Sequence, residues 1–320
     1  MNMTSTEHTE RGLMHSVLYY RSEHEYLQAV APLVAESLSA ARPVLISVPE
    51  RKLAMLRRAL GLAAEDVTPD LSMTDVTEVG RNPGRLLGMV GCFMRQHRDR
   101  HVLMIGEPVW PGRSGAEYAA CLQHEALFNV ALAGHDVTGL CLYDAGRLSE
   151  DVLADVRLTH PLIWRNGSHQ HNPEYAVDVA FDRSNEPLPT SPAAVNFTVY
   201  EFSDLSGARR CVSRYARLLG MSSERIDDLQ LIATELATNS VRHTGEACQL
   251  AFWHQDGYLI CEARDVGPLD DPLAGRRSSQ SGLFVVNAVA DLVRTHISAL
   301  GTKIHAYVRL DRIAGEAALI

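Results

Sequence analysis

Four things are missing from this 320-residue chain, and each absence narrows what it does. No apolar run reaches the roughly 18 residues of a membrane-spanning helix, and the polar start Met1 to Arg11 does not read as a secretory leader. A membrane role and a secretory role are therefore not expected, which leaves a cytoplasmic protein. No Cys-x-x-Cys pair occurs among Cys92, Cys121, Cys141, Cys211, Cys248 and Cys261, whose neighbours are mostly apolar, so they are expected as reduced core cysteines rather than a metal or redox site. No basic patch stands out against a net charge of -9, which argues against nucleic acid as a direct partner. No Gly-x-x-x-x-Gly-Lys-Ser/Thr loop is present, which argues against nucleotide hydrolysis of that type.

What is present suffices for two well-packed cores, since 46% of the residues are hydrophobic. In the N-terminal half, short apolar runs at Ser16–Tyr20, Val44–Val48, Asp75–Val79, Val102–Ile105 and Val137–Leu142 are strand candidates. Amphipathic helices fit between them at Glu23–Ala40, Arg51–Leu60, Pro83–His97 and Gly115–Ala133. This alternation predicts an α/β domain over residues 12–165, a parallel sheet with helices on both faces. Ligands of such sheets bind beyond the carboxyl ends of the strands, where Tyr19-Tyr20-Arg21, Pro49-Glu50-Arg51, Gly80 to Gly84, Gly106 to Arg113 and Tyr143-Asp144 fall. Aromatics, arginines and a carboxylate at one rim suit a small anionic or aromatic ligand, although Gly, Pro and Asn also fill strand-to-helix turns for backbone reasons alone.

Residues 166–194 carry Pro173, Pro187, Pro189 and Pro192 with little apolar periodicity, and they read as an extended linker with a short strand at Val177–Phe181. His169 and His171 lie in its polar part and are expected to be solvated rather than metal-bound.

The most informative stretch is Asp228 to Gly245. Leu229, Ile232, Ala233 and Leu236 form one helical apolar stripe, and a second face carries Glu235 and Asn239 four residues apart. A carboxylate that can accept a proton, one turn from an amide oxygen that can ligate a hard cation, is what a magnesium-nucleotide site needs on a helix. An exposed face with two ordinary polar residues has the same pattern. Further on, Asp265-Val266-Gly267 follows the apolar run Tyr258 to Ala263, and Gly282-Leu283 opens another apolar helix. An aspartate at a strand end can accept from an adenine amine, a nearby glycine lets the backbone approach the ring, and a helix start aims N–H groups at phosphate.

Over about residues 195 to 310 these motifs resemble the GHKL (Bergerat-fold) ATPases and, among them, the anti-sigma factor serine kinases of actinobacteria. The resemblance implies an α+β Bergerat-fold domain at 195–312 that uses ATP and Mg2+, with Glu235 as general base toward a partner's serine and Asn239 as magnesium ligand. It makes Asp265 the adenine reader, places Gly267 under the base and Gly282 and Leu283 by the phosphates, and has Thr302 help hold the purine. Arg209, with Arg210 a near-equal candidate, would face the γ-phosphate and the protein partner. The implied partners are a sigma factor and a STAS-type anti-anti-sigma protein, and the reading also allows a homodimer.

The glycine boxes are thin, because Asp265 to Leu269 lacks the usual second glycine, Gln280 and Ser281 precede Gly282, and Arg276 and Arg277 are the only cations between the boxes. The alternative is therefore a catalytically weak Bergerat-fold docking module. A histidine kinase is disfavoured, since Trp164 to Asn196 is too short and proline-rich for a phosphoacceptor helix pair. Residues 12–165 resemble the MEDS sensory domain through the start His15 to Tyr20, Asn82-Pro83-Gly84-Arg85, Gly106 to Arg113 and His124-Glu125-Ala126-Leu127, which implies a sensor controlling the second domain.

Overall fold

The computed structural model describes residues 12–63, 68–267, 271, 273–276 and 282–311. In chain order the elements begin with β1 (Leu13–Tyr20), α1 (Glu23–Ser39), β2 (Val44–Val48), α2 (Glu50–Leu60), β3 (Leu71–Asp75), α3 (Val76–Val79), α4 (Gly84–Gln96) and β4 (Val102–Gly106). They continue with α5 (Gly115–Leu132), β5 (Val137–Asp144), α6 (Glu150–Thr159), β6 (Leu162–Arg165), β7 (Ser168–His171) and α7 (Val177–Ser184). The last group is β8 (Val195–Val199), α8 (Leu205–Leu218), α9 (Ser223–Thr244), β9 (Cys248–Gln255), β10 (Tyr258–Asp265), α10 (Gly282–Val289), β11 (Leu292–Ser298) and β12 (Gly301–Arg309).

Two compact units emerge from the packing. Among the described residues the first holds the segments up to 77, 92–112 and 128–177, and the second holds 78–91, 113–127 and the residues from 178 onward. The second unit thus takes in two segments of the N-terminal half. None of the described helices is long and apolar enough to cross a membrane.

The first unit is built on a seven-stranded sheet in the order β3-β2-β4-β5-β1-β6-β7, parallel except for the β6–β7 hairpin. Side chains alternate across it. Leu18 and Tyr20 of β1 join Tyr26, Val30 and Val34 of α1 and Leu53 and Leu56 of α2 in one core. His15 and Val17 have the opposite parity, and the His15 ring meets Phe128 of α5 at 4.6 Å between centroids.

Four expectations need correction here. The strand expected at Asp75–Val79 lies earlier, at Leu71–Asp75, and Val76–Val79 is helical. The Asp75 carboxylate accepts from the backbone N–H and hydroxyl of Thr77, which ends the strand and starts the helical turn as a side-chain cap does. The strand expected at Val177–Phe181 is helix α7, with Ala180 and Ser184 buried one turn apart. The supposed linker also contains β7, turned back on β6 through Asn166 and Gly167 with φ of 52° and 78°, the positive pair that a two-residue hairpin turn requires. His169 is consequently no solvated loop residue; its Nδ1 is 2.6 Å from Ser16 Oγ and its ring packs on Trp164.

The second unit carries an antiparallel sheet in the order β11-β12-β10-β9-β8. One face packs against α8, α9 and α10, with Val212, Leu229, Ile232, Leu236 and Val286 set against Leu250, Phe252, Leu259, Ile304 and Val308. Each such buried aliphatic or aromatic side chain stabilises the fold by about 1.5–3 kcal/mol. On the opposite face the Glu262 carboxylate accepts from Thr190 (2.6 Å) and His305 Nε2 (2.8 Å). Asn185 lies on the β11 edge, its amide donating to Ile297 O and accepting from Ile297 N like a strand residue.

Candidate functional site

The apolar stripe of α9 buries Leu229, Ile232, Ala233 and Leu236, which leaves Glu235 and Asn239 half-buried on a neighbouring face. Gly282, the first residue of α10, comes directly against both. A side chain there would put its Cβ 2.4 Å from Glu235 Oε2 and 3.2 Å from Asn239 Oδ1, so the glycine lets the helix start approach the pair without displacing their tips.

A second group surrounds the end of β10. Asp265 pairs in register with Thr302 of β12, the Gly267 N–H donates to the Asp265 carboxylate (3.2 Å), and Thr302 Oγ1 donates to Gly267 O (2.8 Å). Burial raises the Asp265 pKa against the opposing pull of the main-chain N–H groups of Gly267 and Thr302. Gly301 has φ of 125°, and a Cβ on it would lie 2.0 Å from Asp265 O, so this turn also demands glycine. A Cβ on Gly267 would lie 2.5 Å from Thr244 Cγ2. Thr244 is five residues beyond Asn239 on the same helix, about 7.5 Å along the axis, which sets the spacing between the two groups.

Arg209 on α8 reaches Thr234, next to Glu235, with Nη1 3.5 Å from the hydroxyl, whereas Arg210 bonds to Ser206 on its own helix. The Leu283 side chain faces a different space, a cavity of about 180 Å³ that it lines with Arg276, Asn287, Val293 and Ile304. Arg276, read in the sequence as a cation for a triphosphate, is buried instead and donates to Gln123 Oε1 (2.8 Å), while burial lowers its pKa to about 10. Pro268, Leu269, Arg277, Gln280 and Ser281 lie outside the described residues.

The sequence reading missed the far end of α10. Asn82, fully buried, donates to Asn287 O (2.8 Å) and Ala290 O (3.3 Å). Arg85 donates to Asn287 O (3.1 Å) and Ala290 O (2.8 Å), and burial pulls its pKa down. Terminal helix carbonyls have no partners within the helix, and a cation there also meets the negative end of the helix dipole. Gly84 and Gly88 permit the approach of α4, since added Cβ atoms would lie 1.8 Å from Asn287 Oδ1 and 3.1 Å from the Phe284 ring.

In the first unit, residues expected at the carboxyl rim do share one space. Tyr20, Arg21, Arg51, Glu107, Trp110 and Asp144 line a cavity of about 420 Å³. Its floor holds an unforeseen residue, Lys52, which binds the fully buried Glu107 (2.7 Å to Oε2) and the Tyr20 hydroxyl. Burial raises the Glu107 pKa, and Lys52 opposes the shift.

Residues 14–161 match the family model of the methanogen/methylotroph DcmR sensory (MEDS) domain, and residues 200–308 match that of the histidine kinase-like ATPase domain. The chain is a MEDS domain followed by a histidine kinase-like ATPase domain. No curated protein matches it significantly. Among solved structures, the SiaB–SiaC complex from Pseudomonas aeruginosa aligns at 12% identity and a TM-score of 0.30, over 36% of this chain and 88% of that one, a likeness on which no functional argument rests. Asn82 and Arg85 therefore belong by sequence to the MEDS match and by packing to the unit that holds the ATPase-like residues.

Proposed function

We propose that the chain is an ATP-dependent protein serine kinase of the anti-sigma regulatory type, acting in a partner switch under control of its MEDS domain. The observation that carries this reading is the meeting of Gly282 with Glu235 and Asn239, which joins a carboxylate, an amide oxygen and a helix start. These groups suit magnesium and phosphate: Asn239 supplies the hard oxygen donor, and the first N–H groups of α10 suit an anion. Asp265, Gly267 and Thr302 would hold the adenine, in a strand-end arrangement that their mutual hydrogen bonds fix. Bound Mg-ATP supplies the phosphoryl group. Glu235 orients a partner's serine hydroxyl and accepts its proton, and Arg209 offsets developing charge next to it. A sigma factor and a STAS-type protein are the proposed partners, and the domain limits proposed are 12–165, 166–194 and 195–312.

Control by the MEDS domain is supported by Asn82 and Arg85, whose grip on the end of α10 ties the helix that opens on Glu235 to the sensory sequence. The cavity over Lys52 and Glu107 is the proposed place for a small-molecule signal.

One observation favours the second reading, a nucleotide-weak docking module: Arg276 is turned into the protein and bonded to Gln123, away from Glu235 and Asn239. Isothermal titration with Mg-ATP, beside an Asn239→Ala control, separates the two. Binding that the control abolishes supports the nucleotide site and sends the work to phosphorylation assays with candidate partners. No binding at millimolar nucleotide rejects the kinase and leaves the docking module.

A further inference from the structure

Away from the cavity over Glu107, the MEDS domain also buries His15, Cys141 and His160 close together. Their ligand atoms all lie within 4.8 Å of one another, and all three side chains are buried. His15 Nε2 is 3.4 Å from Cys141 Sγ, and the two imidazole centroids are 4.2 Å apart. Gly139, beside His15 in the register of β1 and β5, leaves the room: a Cβ there would lie 3.6 Å from His15 Cδ2 and 2.8 Å from the Phe128 ring.

The hydrogen bonds behind the two imidazoles fix how they present themselves. Asn129 donates its amide N–H to Thr159 O (2.8 Å), which turns its oxygen toward His15, so His15 Nδ1 is the donor in their 2.9 Å bond. Val156 O accepts only, so His160 Nδ1 is the donor in its 2.9 Å bond. With both Nδ1 atoms protonated, each Nε2 keeps a lone pair. An imidazole that donates its far N–H to a carbonyl and offers the other nitrogen is the usual state of a metal-bound histidine.

From these residues we infer that the MEDS domain holds a divalent metal ion of the zinc class at His15, Cys141 and His160, with an oxygen donor in the fourth position. A water or hydroxide suits that fourth position. Two neutral imidazoles and a thiolate match the ligand types of tetrahedral zinc. The thiolate offsets one charge of the dication, and a hydroxide in the fourth position would offset the other. Tetrahedral coordination places nitrogen and sulfur ligands about 3.3–3.6 Å apart, so loading contracts the group by roughly 1.5 Å at most. Zn2+ and Co2+ suit these donors better than the hard cations Mg2+ and Ca2+.

The test uses the reduced full-length protein. Metal content is measured as purified, and the chelator-treated protein is titrated with Co2+, which gives visible d–d bands in a tetrahedral site and a near-ultraviolet charge-transfer band when a thiolate is bound. The expected result is one Co2+ per chain with both bands, displaced by Zn2+. Cys141→Ser loses the charge-transfer band, Asn129→Ala weakens binding about 10–100-fold, and Cys92→Ser, an exposed cysteine outside the group, changes neither. Should Cys141→Ser fail to fold, X-ray absorption of the zinc-loaded wild type replaces it, with one sulfur and two imidazoles expected in the first shell. No stoichiometric binding, a first shell without sulfur, or a charge-transfer band that survives in Cys141→Ser overturns the assignment.

Discussion

The two ends of α10 are held by opposite means. At its start, Gly282 meets the flexible tips of two half-buried side chains, Glu235 and Asn239, with no hydrogen bond between those three residues among the described contacts. At its end, the carbonyls of Asn287 and Ala290 are gripped by a buried amide and a guanidinium from a segment some two hundred residues earlier. The anchored end determines where the helix lies, and the open end is the one free to meet a ligand.

Matched glycine substitutions test this contrast most severely. Gly84→Ala drives a methyl into Asn287 Oδ1 and is expected to cost about 1–3 kcal/mol in denaturant unfolding, as overpacking does. Gly282→Ala meets only the movable ends of Glu235 and Asn239 and should stay within about 1 kcal/mol of wild type. Equal costs would abolish the distinction. Removing the grip follows in size: Arg85→Ala is expected to cost about 1–2 kcal/mol, and Arg85→Lys should restore only part of it, because a lysine lacks the planar fork that serves two carbonyls. Thermal melts of the two variants decide this point.

A pH series supplies a reference remote from either end. Burial holds His305 below its ordinary 6.5. Burial also pushes Glu262 up, but its hydrogen bonds from His305 and Thr190 outweigh that and leave the carboxyl below its ordinary 4.5. Both groups bind protons more weakly folded than unfolded, so their contribution is complete above the unfolded values and fades as pH falls through the folded ones. Melting temperature should therefore drop between about pH 6.5 and pH 4, and His305→Gln should flatten the upper part of that drop. The smallest stability effect belongs to the open end: Glu235→Ala and Asn239→Ala should each change unfolding free energy by no more than about 0.5 kcal/mol. Asn239→Ala should nonetheless abolish Mg-ATP binding in a calorimeter.

Most elements were legible in the sequence because they follow local rules. The strands at Val44 and Val102 and the helices at Glu23 and Gly115 announce themselves by period and by end signals, and Glu235 and Asn239 are neighbours on any helix. The errors have local causes too. Asp75 reads as a strand residue until its carboxylate is seen capping Thr77, and the Asn166-Gly167 turn lay in a stretch read for its prolines. What the sequence could not offer was distance. Arg276 looks available to a triphosphate until Gln123 is brought beside it, and nothing local marks Asn82 and Arg85 as partners of carbonyls so far along the chain.

Asn185 has a bearing on how the second sheet meets other molecules. The outer strand β11 would present an open ladder to any extended peptide, including a strand of another copy, and such edges invite unwanted assembly. By engaging both main-chain groups of Ile297, the asparagine acts as a one-residue stopper at that position. A visitor seeking to lengthen the sheet from that side must first evict it, so fidelity of association is guarded by a single amide.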